Sequence, residues 1–191
     1  MTPSIGHNRG PSLDEGLAWR KHCWTEARRA LLPTLPLEVV RLRVQRARDL
    51  GLDYRSYATV RATSGHDVVA LLFSSNALRL FAPLPALSPG RAEKLALVRD
   101  CRRLAAVHPP LGPGQVIALC APLLHAATIA PAAAASWRVT RDALRGFLQG
   151  QGLPRDGIVV IGDTDAERGW VAAAALAGYV GAARYFDAPG A

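Results

Sequence analysis

The chain has 191 residues, of which half are apolar and a fifth are charged. This composition is that of a globular protein and excludes disordered and fibrous classes, while the length allows one sizeable core and little room for a second full domain. We therefore expect a flexible tail over residues 1–12 and a single domain over residues 13–191. Within that domain, a helical subregion (13–65) is expected to pack against a sheet-containing part (66–191).

The formal net charge is +8, and arginine supplies 21 of the 23 basic residues. The charge is concentrated towards the front of the chain. Residues 20–61 hold ten basic and four acidic side chains, whereas residues 151–191 hold three and five. A basic segment of this kind is typical of proteins that contact nucleic acid or another anionic surface.

The cysteines and the apolar stretches indicate in which cellular compartment the protein is expected. Cys23, Cys101 and Cys120 are widely separated and form no C-x-x-C pair, so neither a disulfide framework nor a zinc site is indicated. No apolar run of signal-peptide length opens the sequence. The uncharged stretch 115–137 is long enough to span a membrane, but it is rich in alanine and interrupted by two prolines. We expect two short buried helices there, no membrane association and a cytoplasmic location.

The front of the chain is predicted to be helical. Ser12 can cap a first helix that runs to about residue 31, and two prolines then separate it from a second helix that ends near Leu50. Gly51 suits the left-handed end of that helix, and Asp53 suits the cap of a third, from about Tyr54 to Ala62.

Beyond residue 65, apolar runs alternate with helical patterns. Helices are expected over about 89–103, from Pro113 onwards, over 137–148 and over 164–177. The runs that read as strands are Val68–Phe73, Leu104–Val107, Ile158–Ile161 and Ala182–Phe186. This alternation predicts an α/β fold with a small, mainly parallel sheet of three to four strands flanked by helices.

The sharpest local pattern is the turn after the third predicted strand. Asp163, Asp165 and Glu167 follow the run Ile158–Ile161 directly, where open α/β sheets hold their ligands. Carboxylates at such a turn can hold Mg²⁺ beside a phosphate group. The alternative is that these acids only cap the following helix and balance its dipole.

Gly162-Asp163-Thr164, between an apolar strand and an alanine-rich helix, resembles the metal-binding motif of haloacid-dehalogenase-like phosphatases. The resemblance implies that Asp163 holds Mg²⁺ and that Ser74 and Ser75 stand for the family's serine or threonine motif. It also implies Arg91 or Lys94 as the basic residue. The family's Asp-x-Asp nucleophile has no counterpart among the earlier aspartates.

The turn Asp163-Thr164-Asp165 also resembles the second half of the metal-binding motif in topoisomerase-primase folds. That motif requires a glutamate on an earlier strand, and none follows the run Val68–Phe73. A third resemblance lies in the tail, where Ile5-Gly6-His7-Asn8-Arg9-Gly10-Pro11 is similar to the opening motif of uncharacterised proteins of alphaproteobacteria and their phages. It implies a lineage, and such a tail can serve as a docking peptide.

The segment 43–61 resembles a helix-turn-helix unit. Such a unit needs a small residue in its first helix, and Ala47 is at that position. Gly51 makes the turn, and Tyr57 and Val60 can face inward from the second helix. The side chains then left for bases or phosphates are Arg43, Arg46, Tyr54, Arg55, Ser56 and Arg61. The alternative is a corner of two helices with solvated arginines.

These observations lead to three hypotheses. The first is an accessory or regulatory protein that contacts DNA or RNA through its front helices. The second is a phosphate- or nucleotide-binding protein, phosphatase-like but degenerate, that holds Mg²⁺ at Asp163, Asp165 and Glu167. The third is a module that binds another protein. No catalytic residue is predicted, because no histidine or cysteine spacing matches a nucleophile motif.

Overall fold

The structure is a computed structural model that describes residues 35–187 and, before them, Cys23, which is helical. The predicted tail and most of the predicted first helix lie outside the described residues. The chain divides into two compact units, residues 1–40 and 41–191. The fold described below is that of the second unit, together with the start of the helix that leads into it.

Five parallel strands form one sheet in the order β3-β2-β1-β4-β5. The strands are β1 (Ala70–Ser74), β2 (Arg102–Val107), β3 (Ala126–Ile129), β4 (Ile158–Gly162) and β5 (Gly178–Gly181). The α/β class and the parallel sheet are therefore confirmed, with five strands instead of three to four. β1 is central and buried on both faces, as its continuous apolar sequence predicts.

Seven helices lie in residues 35–187: α1 (Leu37–Asp49), α2 (Tyr54–Ser64), α3 (Pro89–Leu97), α4 (Pro113–Leu119), α5 (Trp137–Gly150), α6 (Asp165–Ala174) and α7 (Ala182–Phe186). One face of the sheet packs against side chains from α1, α2, α3, α4 and α7. The other face packs against α5 and α6. The direction of the crossovers reverses between β1 and β4, so the sheet is doubly wound.

The turn between α1 and α2 has the predicted geometry. Gly51 is left-handed, with φ of +67°, and a Cβ at this position would lie 3.0 Å from the Tyr185 hydroxyl. Asp53 caps α2 by accepting a hydrogen bond of 2.9 Å from Ser56 N. Ala47 is buried, as a small residue in the first helix of such a pair must be.

Several predicted elements are corrected. The helix expected over 89–103 ends at Leu97, because Val98 is extended and Asp100 is left-handed, and β2 then begins at Arg102. The stretch 115–137 contains β3 where a second helix was predicted, and among the described residues no helix is long and apolar enough to cross a membrane. Near the end of the chain, the last strand precedes Ala182, and the run predicted to be that strand is α7.

Candidate functional site

The carboxyl ends of β1, β2 and β4 meet at the edge of the sheet where the crossovers change direction, which is where doubly wound folds bind ligands. Polar residues follow each of these strands. Ser74 is the last residue of β1 and is followed by Ser75 and Asn76, His108 follows β2, and Asp163 follows β4. We call this group, together with Glu167 of α6, the switch-point site.

Glu167 is the centre of the switch-point site and is completely buried. One carboxylate oxygen, Oε1, accepts hydrogen bonds of 2.9 Å each from Asn76 Nδ2 and His108 Nε2. The other, Oε2, accepts from the backbone N–H groups of Asp163 (2.6 Å) and Thr164 (3.0 Å). The last contact and the bond from Glu167 N to the Thr164 hydroxyl form a capping box at the start of α6.

These donors decide the charge of the buried carboxyl group. Burial by itself raises the pKa of Glu167, but hydrogen bonds from His108, Asp163 N, Ser74 and Thr164 N outweigh it and lower the pKa to about 2. Glu167 is therefore ionised at neutral pH. An ionised carboxylate can only accept hydrogen bonds, so each contacting atom must be a donor.

His108 is oriented from two sides. Because Glu167 accepts its hydrogen bond, Nε2 must carry the proton, and Nδ1 is the nitrogen left to contact a ligand. The imidazole ring stacks on the Trp170 indole, with centroids 5.8 Å apart and an angle of 26° between planes. The side chain keeps 23% of its surface exposed, so a ligand can reach it. Its backbone N–H donates to the Ser75 hydroxyl at 3.0 Å.

A charged pair stands at the mouth of the switch-point site. The Arg79 guanidinium lies 3.5 Å from the Asp163 carboxylate, and half of the Arg79 side chain is exposed. Arg79 has a left-handed backbone, with φ of +56°, a conformation that non-glycine residues seldom adopt and that recurs at functional sites. Asn76 is half-buried beside this pair and directs its amide nitrogen to Glu167.

The three carboxylates predicted to hold Mg²⁺ do not converge. Glu167 points inward to its hydrogen-bond donors, Asp163 faces Arg79, and the fully exposed Asp165 lies 3.5 Å from Arg168. Across residues 35–187 and Cys23, no three His, Cys, Asp or Glu side chains are grouped so that they could hold a metal ion. The residues present therefore do not fit the Mg²⁺ site that the phosphatase resemblance implies.

The residues predicted to contact nucleic acid have different surroundings. Arg46 makes structural contacts, since its guanidinium donates to Asp67 at 2.9 Å and to the Val68 carbonyl at 2.9 Å, and only 20% of the side chain is exposed. Ser56 is buried, and its hydroxyl donates to Asp53.

The other predicted contact residues are more accessible. Tyr54 and Arg55 are exposed on the first turn of α2, and Arg43 is half-buried on α1. Arg61 is also half-buried, and its guanidinium lies 4.0 Å from Asp67. Three of the six predicted residues, Arg46, Ser56 and Arg61, thus have partners within the fold.

Asn76 and His108 were not singled out by sequence reasoning. The signal was their position, because each lies within three residues of the end of a predicted strand, and carboxyl ends of parallel strands share one edge of a sheet. Glu167 was singled out as a metal ligand, whereas its spacing of three residues from Thr164 is that of a capping box. No protein-family model, curated protein or solved structure matches this chain.

Proposed function

We propose that this protein binds a phosphorylated small molecule at the switch-point site and does not hydrolyse it, as a non-catalytic relative of the haloacid-dehalogenase-like phosphatases. The observation that carries the proposal is the buried, ionised Glu167, which holds Asn76 and His108 in place at the edge where doubly wound sheets bind ligands.

The order of the strands supports the phosphatase-like part of the proposal. A nucleophile motif and the metal-binding aspartate of such an enzyme must share one ion, so they must follow neighbouring strands. β1 is a neighbour of β4, and at its carboxyl end Ser74 and Asn76 are two residues apart, like the two aspartates of the family's Asp-x-Asp. On this comparison Ser74 takes the nucleophile's position instead of the place in the serine or threonine motif that the sequence resemblance implied, and neither Ser74 nor Asn76 is a carboxylate. This arrangement favours binding over hydrolysis.

The groups around the site match the chemistry of a sugar phosphate. The Arg79 guanidinium and the second N–H of the Asn76 amide are donors for phosphate oxygens. Nδ1 of His108 is the ring nitrogen that Glu167 does not bind, and it can form a hydrogen bond with a sugar hydroxyl. Asp163 now pairs with Arg79, and a phosphate group would compete with it for the guanidinium.

The test is isothermal titration calorimetry of the full chain with ribose 5-phosphate. We expect His108→Phe, which keeps a ring against Trp170 but removes Nδ1, and Arg79→Ala each to raise the Kd about tenfold or more. The matched control is His66→Phe, because His66 is exposed and distant from the site in the fold. No binding, or equal affinity in His108→Phe, would refute the proposal.

The absence of a converging carboxylate group leads to a further expectation. Affinity for ribose 5-phosphate should be equal in Mg²⁺ and in EDTA, and a colorimetric assay should detect no release of inorganic phosphate. Release that depends on Mg²⁺ would mean that the protein is an enzyme and that its carboxylates rearrange around the ion.

A second proposal concerns the front helices, which we propose contact DNA or RNA. The turn at Gly51 has the left-handed geometry that this kind of unit needs, and it leaves Tyr54 and Arg55 exposed at the start of α2. The net charge of +8 favours such contact.

Fluorescence anisotropy with mixed-sequence DNA and RNA at two salt concentrations tests this second proposal. The variant is the double charge reversal of Arg43 and Arg55, with Arg46 left intact because it holds the fold together. The matched control is the double reversal of Arg138 and Arg141 on α5. We expect binding that weakens with salt and is lost only in the first variant. Equal loss in both would indicate a charge effect without a defined surface.

A further inference from the structure

Beside the switch-point site, a small cleft opens between the start of α5 and the first turns of α6. We call it the alanine cleft. Its volume is about 160 Å³, and the residues that line it are Ala132, Ala133, Ala135, Trp137, Thr140, Ala166, Gly169, Trp170 and Ala173. No lining side chain carries a charge, and the Thr140 hydroxyl is the only polar side-chain group other than the two indole nitrogens. The cleft thus suits a neutral, apolar group.

The alanine cleft adjoins the switch-point site through one side chain. Trp170 lines the cleft and also stacks on the His108 ring, so this one side chain contacts both places. The residues between β3 and α5, and the first turn of α6, both belong to the carboxyl edge of the sheet. One molecule can therefore occupy both places.

Two features of the cleft favour a flat ring. The Trp137 indole stands at the cleft with 58% of its surface exposed, and an exposed indole offers a face for stacking. Gly169 lies in the middle of α6, and a Cβ added there would meet no atom within 4 Å. Nothing within the described residues fills the space above this glycine. A planar group can therefore stack on the exposed indole and extend over the open space at the glycine.

We propose that the alanine cleft binds the base of a nucleotide, so that the ligand of the switch-point site is a nucleoside monophosphate. This inference rests on the proposed function, in which the sugar and phosphate lie against His108, Asn76 and Arg79. The base lies against Trp137 and above Gly169, and the Thr140 hydroxyl is available to its ring nitrogens.

The experiment is calorimetric titration of the full chain with AMP, adenosine and ribose 5-phosphate. The test variant is Gly169→Leu, which adds a side chain to the alanine cleft at a position where a Cβ meets no atom within 4 Å, and the matched control is Gly146→Leu. Gly146 lies in α5, outside the cleft lining, and it also has open space at the Cβ position. Leucine is a better helix former than glycine at both positions, so both variants should fold, and circular dichroism is the measurement that checks this.

We expect AMP to bind about tenfold or more tightly than ribose 5-phosphate. Gly169→Leu should abolish that advantage and leave the affinity for ribose 5-phosphate unchanged, and Gly146→Leu should change neither. Equal affinities for AMP and ribose 5-phosphate would overturn the inference and leave the proposed function standing. Binding of adenosine as tight as that of AMP, lost in Gly169→Leu, would support the cleft and refute the phosphate site. No binding of any of the three refutes both.

Discussion

Replacing Glu167 by glutamine removes the charge at the centre of the switch-point site and keeps its shape. The two carboxylate oxygens accept hydrogen bonds from at least four donors, two at each oxygen. In glutamine an NH₂ group replaces one of these oxygens, so the two donors at that position would face another donor. A buried donor without a partner costs about 1–3 kcal/mol. Glu167→Gln should therefore fold with reduced stability at neutral pH.

The size of the effect follows from the pKa of Glu167, which is lowered from its usual 4.5 to about 2. A lowered pKa in the folded state stabilises the protein above the unfolded pKa, and this stability is lost as the pH falls from about 4.5 to about 2. The shift corresponds to a stabilisation of the folded state by about 3 kcal/mol at pH 7 and by about 1.5 kcal/mol at pH 3. The difference in the free energy of unfolding between the wild type and Glu167→Gln should thus decrease as the solution is acidified.

Urea unfolding followed by tryptophan fluorescence at pH 7 and pH 3 measures this difference. The control is Glu93→Gln, since Glu93 is exposed on α3 and its loss should change the free energy of unfolding by less than about 0.5 kcal/mol. If the free energies of unfolding of wild type and Glu167→Gln differ by the same amount at both pH values, the proposed stabilisation by the ionised carboxylate is refuted. Such a result would mean that the carboxyl group is not ionised in the folded protein or that its donors do not discriminate charge.

Further predictions concern the same free energy of unfolding in urea. Arg46→Lys should lower it by about 2 kcal/mol, because lysine cannot form the paired hydrogen bonds that the guanidinium makes to Asp67 and the Val68 carbonyl. A variant with the free energy of unfolding of the wild type would show that these bonds do not stabilise the fold. Gly162→Ala should lower it by about 2 kcal/mol, since the Cβ would lie 2.7 Å from Tyr179 Cε2. Gly169→Ala should instead raise it by about 0.5–1 kcal/mol, and a decrease would mean that the helix needs glycine there.

Much of the fold follows from local patterns in the sequence. The runs that became β1 and β4 are continuous and apolar because both strands are buried on both faces. The edge strands are harder to predict, since β3 and β5 have four residues each and Val180 is their one buried residue. In β5 two of the four residues are glycine, so the pattern before Ala182 reads as the end of a helix.

The switch-point site was predicted in place but not in chemistry. The turn at Asp163 lies at the expected edge of the sheet, yet the role of each carboxylate depends on contacts with residues far away in sequence. His108 and Asn76 are separated from Glu167 by 59 and 91 residues, respectively. No local pattern encodes such contacts. The same holds for Arg46, which looks like a solvated arginine on a helix until Asp67 and the Val68 carbonyl are placed beside it.

The strand order has a consequence for synthesis on the ribosome. β1 lies at the centre of the sheet, but one of its two neighbours, β4, is made only after residue 158. At about 5–20 residues per second, an apolar edge of β1 waits roughly 4 to 18 seconds for its partner. During that interval the nascent chain exposes a row of unpaired backbone groups that another chain can pair with. Chaperones that hold nascent chains would therefore be expected to raise the yield of this protein.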